Sequence, residues 1–178
     1  RTTESQPHRE LASGLSVPVG FKNSTSGSVM AAINAIHSSA EPKSFMGISQ
    51  DGKVSVIHTK GNKNCCLVLR GGTRPNYKRE DVQKVVEQLD IESMDTAIII
   101  DASHGNSGKD WEQQMSVIDY LTKVRHPSVR GIMCESFIRD GSQSLLQKPL
   151  QYGISVTDSC IGIDKTIQLM TPLNKSVK

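Results

Sequence analysis

The sequence predicts an α/β fold built from parallel strand–helix units, and three observations carry that expectation. Short apolar runs alternate with stretches of helical periodicity, and each run ends abruptly at a polar or charged residue. One run, Thr96 to Ile100, is almost wholly β-branched, as a strand covered on both faces should be. Such alternation describes either a (β/α) barrel or a doubly wound sheet, and both place function at the C-terminal ends of strands. A complete eight-stranded barrel takes about 250 residues. Four main strands in 178 residues therefore read as half of a (β/α)8 TIM barrel, and Arg1 in place of Met reads as a truncated start.

Taken in order, the first strand is Val17 to Phe21, ending at Lys22. After the loop Asn23 to Gly27, a helix shows Val29, Ala32, Ile33 and Ile36 on one face, at i, i+3, i+4, i+7 spacing. Apolar stretches at 44–49 and 54–59 flank Gln50-Asp51-Gly52-Lys53, and Asp-Gly between two such runs marks a hairpin, so 44–59 is expected as a β-hairpin insertion. Cys65 to Leu69 ends at Arg70-Gly71-Gly72 and leads into a helix with Val82, Val85, Val86 and Leu89 on one stripe. Thr96 to Ile100 ends at Asp101-Ala102-Ser103-His104-Gly105, and the helix over 109–125 should turn Trp111, Met115, Ile118 and Leu121 inward before Pro127 closes it. Gly131 to Cys134 is the next strand, ended by Glu135, and a long polar loop runs on to Gly153. Ser155 to Cys160 then leads into a last helix near 164–171, which Pro172 should stop or bend.

Composition narrows the function. There are 21 Lys and Arg against 18 Asp and Glu, with no block of like charge to track a phosphate backbone, so nucleic acid is not expected as a partner. No apolar run approaches the roughly 18 to 20 residues of a membrane span, and no charged-then-apolar leader is present, which reads as a soluble, cytoplasmic chain without a membrane partner. The cysteines, Cys65, Cys66, Cys134 and Cys160, form neither a disulfide framework nor a CxxC zinc signature and are expected as reduced, packed thiols.

Chemistry should sit where the strands end. The candidates are Lys22, Arg70, Asp101 with His104, Glu135, and Asp158 on the loop before the last helix. A lysine and an arginine on one rim suit a phosphate or carboxylate, and Arg70 offers a bidentate fork beside two glycines that permit close backbone approach. One imidazole and two carboxylates, His104, Glu135 and Asp158, make a nitrogen and oxygen set suited to a divalent Mn, Zn, Co or Fe ion. Each residue also has a plainer reading: Lys22 as a solvated lysine, Arg70 as a structural partner of Asp101, His104 as a cap, Glu135 and Asp158 as surface carboxylates. Spacing alone leaves a phosphate-plus-metal pocket of unspecified reaction.

At these residues the sequence resembles the microbial type I 3-deoxy-D-arabino-heptulosonate 7-phosphate (DAHP) synthases, the enzymes that open the shikimate pathway of aromatic amino acid biosynthesis. The motifs that carry the resemblance are Arg1 to Gln6, His8 to Leu15, Pro18 to Asn23, Leu69 to Gly72, Pro75-Asn76-Tyr77, Ser103 to Ser107, Glu135-Ser136, Gly141 to Ser144 and Tyr152 to Gly162. The resemblance implies a (β/α)8 TIM barrel of which residues 1–178 are the C-terminal part, about strands 5 to 8. It implies condensation of phosphoenolpyruvate with erythrose 4-phosphate and release of phosphate, with Lys22 and His104 as catalytic residues. By the same resemblance Arg1, Lys22 and Arg70 match the residues that hold phosphoenolpyruvate, and His104, Glu135 and Asp158 match three of four ligands to a divalent metal. The fourth family ligand is a cysteine on a strand absent from this chain, as are a second-strand Arg and Lys and a Lys-Pro-Arg-Thr loop for erythrose 4-phosphate.

The family also binds a feedback inhibitor, an aromatic amino acid, at a wall that Leu11, Leu15, Ser16, Phe45 and Gly47 match. Gly at the position of Gly47 is commoner in tyrosine-sensitive members, so the resemblance leans to tyrosine; it also implies a homo-oligomer for the whole protein. Two departures bear on the last helix: the family usually has Trp where Ile163 stands, and its helix normally passes the position of Pro172 unbroken. The competing readings are a non-catalytic fragment that keeps phosphate and effector binding, and another metal-dependent barrel lyase.

Overall fold

The computed structural model describes residues 5–174. It opens with a helix that apolar periodicity did not signal, α1 (Gln6–Gly14), which carries Pro7 in its first turn, where a missing N–H costs nothing. Strand β1 (Val19–Lys22) and helix α2 (Met30–Ala40) follow. The expected hairpin is present as β2 (Ser44–Ile48) and β3 (Val54–His58), antiparallel, with Gly52 at φ 75° in its turn, a conformation that glycine adopts without strain. Then come β4 (Cys65–Leu69), α3 (Arg79–Ile91), β5 (Ile98–Asp101), the single-turn α4 (His104–Ser107), α5 (Trp111–Lys123) and β6 (Val129–Met133). Two-residue strands β7 (Ser136–Phe137) and β8 (Ile161–Gly162) precede α6 (Ile163–Asn174).

The main sheet is parallel in the order β1-β4-β5-β6. Each strand lies beside the next main strand in sequence, with no point at which the order reverses, and right-handed crossovers then put the connecting helices on one side. Register fixes what stands at the rim. Lys22 is level with Val68, Leu69 with Ile100, and Asp101 with Met133, so the residues that leave these strands emerge at one end of the sheet.

The core forms between sheet and helices. Every residue of β4 is buried, as are Phe21, Ile98 and Ile100, and against them pack Ala32, Ile33 and Ile36 of α2, Val82, Val85 and Leu89 of α3, and Val117, Ile118 and Leu121 of α5. The inward face of α5 includes the expected Ile118 and Leu121, buried, with Trp111 and Met115 packed against the core, and it is wider than expected. Trp111 and Met115 are only half-buried, whereas Gln114 and Val117 are buried, because the Gln114 amide reaches the backbone at the end of β6. Pro172 does not stop α6, which runs on to Asn174, although proline lacks the N–H that would bond the carbonyl four residues back and its ring crowds that carbonyl. Ser155 to Cys160 does not run directly into that helix either, since β8 intervenes and pairs with β7. All four cysteines are free. Among the described residues no helix is long and apolar enough to cross a membrane.

Candidate metal and phosphate site

Three loops meet backbone to backbone at the strand ends. Gly71 has φ 70°, and a Cβ there would stand 2.4 Å from the carbonyl carbon of Gly105, so the loop after β4 rests on the loop after β5. Three side-chain amides lock this contact, Asn23 and Asn106 buried and Asn76 half-buried. Asn23 accepts from the Arg70 N–H at 2.8 Å and donates to the Gly71 carbonyl at 2.8 Å. Asn76 accepts from the Gly71 N–H at 2.7 Å, and Asn106 accepts from the Asn76 N–H at 2.8 Å. Asn106 also donates to the carbonyls of Leu69 and Asp101, at 3.1 and 2.8 Å. The backbone that carries Arg70 is thereby fixed relative to the loop that carries His104.

Around this frame the charged side chains gather. Asp101 is fully buried, and its Oδ2 accepts from Lys22 Nζ at 2.6 Å. The same oxygen lies 2.9 Å from His104 Nδ1, out of line with the ring N–H, and Nδ1 is buried without a hydrogen-bond partner. His104 is held at φ 52°, a left-handed conformation uncommon outside glycine, which turns its ring toward the neighbouring loops. Its Nε2 stands 3.4 Å from Glu135 Oε1 and 3.9 Å from Asp158 Oδ2. Lys109 Nζ approaches the other Asp158 oxygen at 3.6 Å.

One ligand atom from each of His104, Glu135 and Asp158 lies within 4.8 Å of the others. Two ligands on opposite sides of a common ion, with bonds of about 2.0–2.3 Å, stand at most about 4.6 Å apart. Ligands at a tetrahedral angle stand closer, about 3.3–3.8 Å apart, so a divalent cation would draw the widest pair of this set in by about an ångström. The local electrostatics fit one. Burial pushes the Glu135 carboxyl above its ordinary range, the Asp158 and Asp101 carboxylates push it further, and His104 and Lys22 oppose them. Glu135 Oε2 is buried with no partner. Nitrogen and oxygen donors of this type suit Mn²⁺, Fe²⁺, Co²⁺ or Zn²⁺.

The structure thus brings together Lys22, His104, Glu135 and Asp158, with Arg70 on the adjoining loop. Arg70 is not the partner of Asp101 that its plainer reading made it; Lys22 takes that place, and Arg70 Nε is buried without a partner. Arg1 lies outside the described residues. Leu11, Leu15 and Ser16 are exposed near the end of α1, while Phe45 and Gly47 share the half-buried face of the hairpin. The Ser13 and Thr59 hydroxyls, 2.8 Å apart, tie that end of α1 to the hairpin base. Sequence reasoning passed over the supporting amides Asn23, Asn76, Asn106 and Gln114. The asparagines lay in view as polar residues in otherwise tight glycine-containing turns, whereas Gln114 shows only as a polar residue interrupting a helical stripe.

Comparison with known proteins shows the family. A family model described as the DAHP synthetase I family matches residues 1–171. The chain is 43% identical over 182 residues to the Tyr-sensitive phospho-2-dehydro-3-deoxyheptonate aldolase of Salmonella typhimurium, covering 99% of this chain and 51% of that protein. It is also 43% identical to the Phe-sensitive enzyme of Escherichia coli, covering all of this chain and 52% of that protein. A Tyr-sensitive relative from Enterobacter agglomerans is 44% identical, and the chain covers 86% of it. Among solved structures, the phospho-2-dehydro-3-deoxyheptonate aldolase of Francisella tularensis superposes with a TM-score of 0.92 at 40% identity, over 99% of this chain and 53% of that one. The chain spans about half the length of the Salmonella and Escherichia relatives. With a family match that runs from the first residue to within the last helix, and a neighbouring structure that follows the same path, this chain belongs to the DAHP synthetase I family.

Proposed function

We propose that this chain supplies the phosphoenolpyruvate-binding and metal-binding part of a DAHP synthase, which joins phosphoenolpyruvate to erythrose 4-phosphate and releases phosphate. The observation that carries the reading is the convergence of Lys22 with His104, Glu135 and Asp158 at one end of a parallel sheet. The sequential strand order supports a TIM barrel in which these strands are about the fifth to the eighth.

Each residue has a task. Lys22 commits one of its three N–H donors to Asp101 and keeps two for the phosphate or carboxylate of phosphoenolpyruvate. Arg70 adds a planar fork on a backbone locked by Asn23 and Asn76, and holding the substrate in a fixed attitude lowers the entropy cost of the condensation. The same cations stabilise the negative charge that develops as phosphate departs. His104, Glu135 and Asp158 would hold a divalent metal, which supplies Lewis acidity toward the aldehyde oxygen of erythrose 4-phosphate. Arg1 would join Lys22 and Arg70 on the substrate.

Regulation would belong to the end of α1 and the hairpin, which Ser13 and Thr59 tie together. Leu11, Leu15, Ser16, Phe45 and Gly47 would form the wall for an aromatic amino acid effector, tyrosine in preference to phenylalanine, in a cytoplasmic homo-oligomer. The wall is narrow at Gly47, where an added Cβ would stand 2.5 Å from Ile57 Cγ1.

The test is direct. In the protein expressed at its natural full length, His104→Ala is expected to weaken Mn²⁺ binding by calorimetry and to lower DAHP formation by at least a hundredfold. Arg70→Ala is expected to raise the KM for phosphoenolpyruvate without changing Mn²⁺ affinity. If His104→Ala binds Mn²⁺ and turns over as the unsubstituted protein does, the assignment fails.

A further inference from the structure

Asp101 is the one carboxylate among the described residues that is fully buried, and it lies between the two halves of the site. Its Oδ1 accepts from the Ser103 N–H at 2.9 Å, which fixes the carboxylate plane. Its Oδ2 accepts from Lys22 Nζ at 2.6 Å and faces His104 Nδ1 at 2.9 Å. Across the imidazole, Nε2 points to Glu135 and Asp158. A single oxygen therefore meets both the cation assigned to the anionic substrate and the ring assigned to the metal.

We propose that Asp101 is a positioning residue that links metal affinity to substrate affinity. A neutral imidazole coordinates through one nitrogen, and the partner of the other decides which nitrogen that is and how basic it becomes. No other group serves the buried Nδ1, so a small rotation of the ring toward Oδ2 leaves Nε2 as the coordinating atom. The carboxylate is shared. When the phosphate or carboxylate of a substrate takes the two remaining Lys22 donors, the ammonium charge is shared with that anion, so the Asp101 charge falls more fully on His104 and makes it a stronger ligand. By linkage, a bound metal must then tighten the substrate by the same factor.

This inference rests on the metal reading of His104, Glu135 and Asp158 given above. In the full-length protein, Mn²⁺ affinity is measured by competition with a chelating dye, with and without saturating phosphoenolpyruvate. Asp101→Asn is expected to weaken Mn²⁺ binding about tenfold or more and to remove the tightening that phosphoenolpyruvate gives the unsubstituted protein. An Asp101→Asn protein that melts at a lower temperature but binds Mn²⁺ within about twofold of the unsubstituted one, with that tightening intact, overturns the proposal, since a merely structural role would do this. A second readout needs no variant. In ¹⁵N-histidine NMR of the Zn²⁺-loaded protein, His104 is expected to be metal-bound at Nε2 and protonated at Nδ1, and metal at Nδ1 refutes the idea. His104→Ala separates the two levels: undiminished Mn²⁺ binding there sinks the metal reading itself, whereas weakened binding there with none in Asp101→Asn sinks only the role of Asp101.

Discussion

Asn106 shows how much of the site depends on residues that never touch a substrate. It is buried, and its amide serves three backbone groups on two loops. Asn106→Ala leaves the Leu69 and Asp101 carbonyls and the Asn76 N–H short of a partner, and each buried orphan costs about 1–3 kcal/mol. The expected loss is about 3 kcal/mol of unfolding free energy in urea titration, and a loss below about 1 kcal/mol would show that water replaces the amide. At the start of β4, burial, aided by the neighbouring Cys66, pushes the Cys65 thiol up to about 11. Since the thiolate is the nucleophile, Cys65 is expected to stay unreactive toward a disulfide reagent at pH 8 until the protein unfolds. Labelling of Cys65 in the native protein, read by mass spectrometry, would contradict its placement. Lys22, Arg70 and Glu135 were legible in sequence because each interrupts an apolar strand at its end. Asn106 was not, because an asparagine in a turn reads the same whether water or a neighbouring loop satisfies it.

Helix α6 is held by an arrangement of the same kind on a larger scale. Lys165 donates to Asp140 Oδ2 at 2.7 Å and sits 4.0 Å from the centre of the Trp111 ring, while Asp140 Oδ1 accepts from the Gly162 N–H at 2.7 Å. One ion pair thus joins α5, α6 and the loop before β8, just downstream of Asp158. The hydrogen bond from the Lys165 ammonium holds the Asp140 carboxyl below its ordinary value; burial opposes it and the Gly162 N–H adds to it. A carboxyl lowered in the folded state adds stability above its unfolded pKa and loses it as pH falls through the folded one. Asp140→Asn is therefore expected to destabilise the protein modestly at neutral pH, the pair being partly exposed, and the gap should close as thermal melts are taken down through the acid range. A gap that stays constant to the lowest pH would exclude the ion pair as its source. Expectation and structure part at this scale in informative places. The hairpin at 44–59 was legible because Asp-Gly specifies its turn, but α1 offers a short, largely polar segment whose only signal is Pro7 behind Ser5. The pair β7 and β8 is two residues long, too short for any periodicity.

For the molecule as a whole, the feature with the largest consequence is the pair of open sheet edges. Among the described residues β1 and β6 each have a main-sheet neighbour on one side only. The hairpin adds an apolar face of cross-strand pairs, Met46 with Val56 and Ile48 with Val54, all four of them exposed. Unpaired edges and uncovered apolar strands recruit further strands. The 178-residue chain expressed by itself is therefore expected to self-associate in size-exclusion chromatography, and Val54→Lys should reduce that association. A monodisperse monomer with one cooperative thermal transition would show that these surfaces are already satisfied within the chain.

The sequence by itself determined the strand–helix order, the hairpin, and the residue types that stand where strands end, because all three are written in local periodicity and in abrupt changes of polarity. It also carried the family, through motifs spread along its length. Tertiary structure alone decided that Asp101 pairs with Lys22 and not with Arg70, that Gln114 turns inward to hold the Glu135 N–H at 2.6 Å, and that three asparagines, Asn23 and Asn106 buried and Asn76 half-buried, fix the loops between them. Most pairings of this kind join residues well separated along the chain, from Gln114 with Glu135 to Lys22 with Asp101. They follow from the register of parallel strands and the direction of side chains at their ends, and no spacing along one chain encodes either.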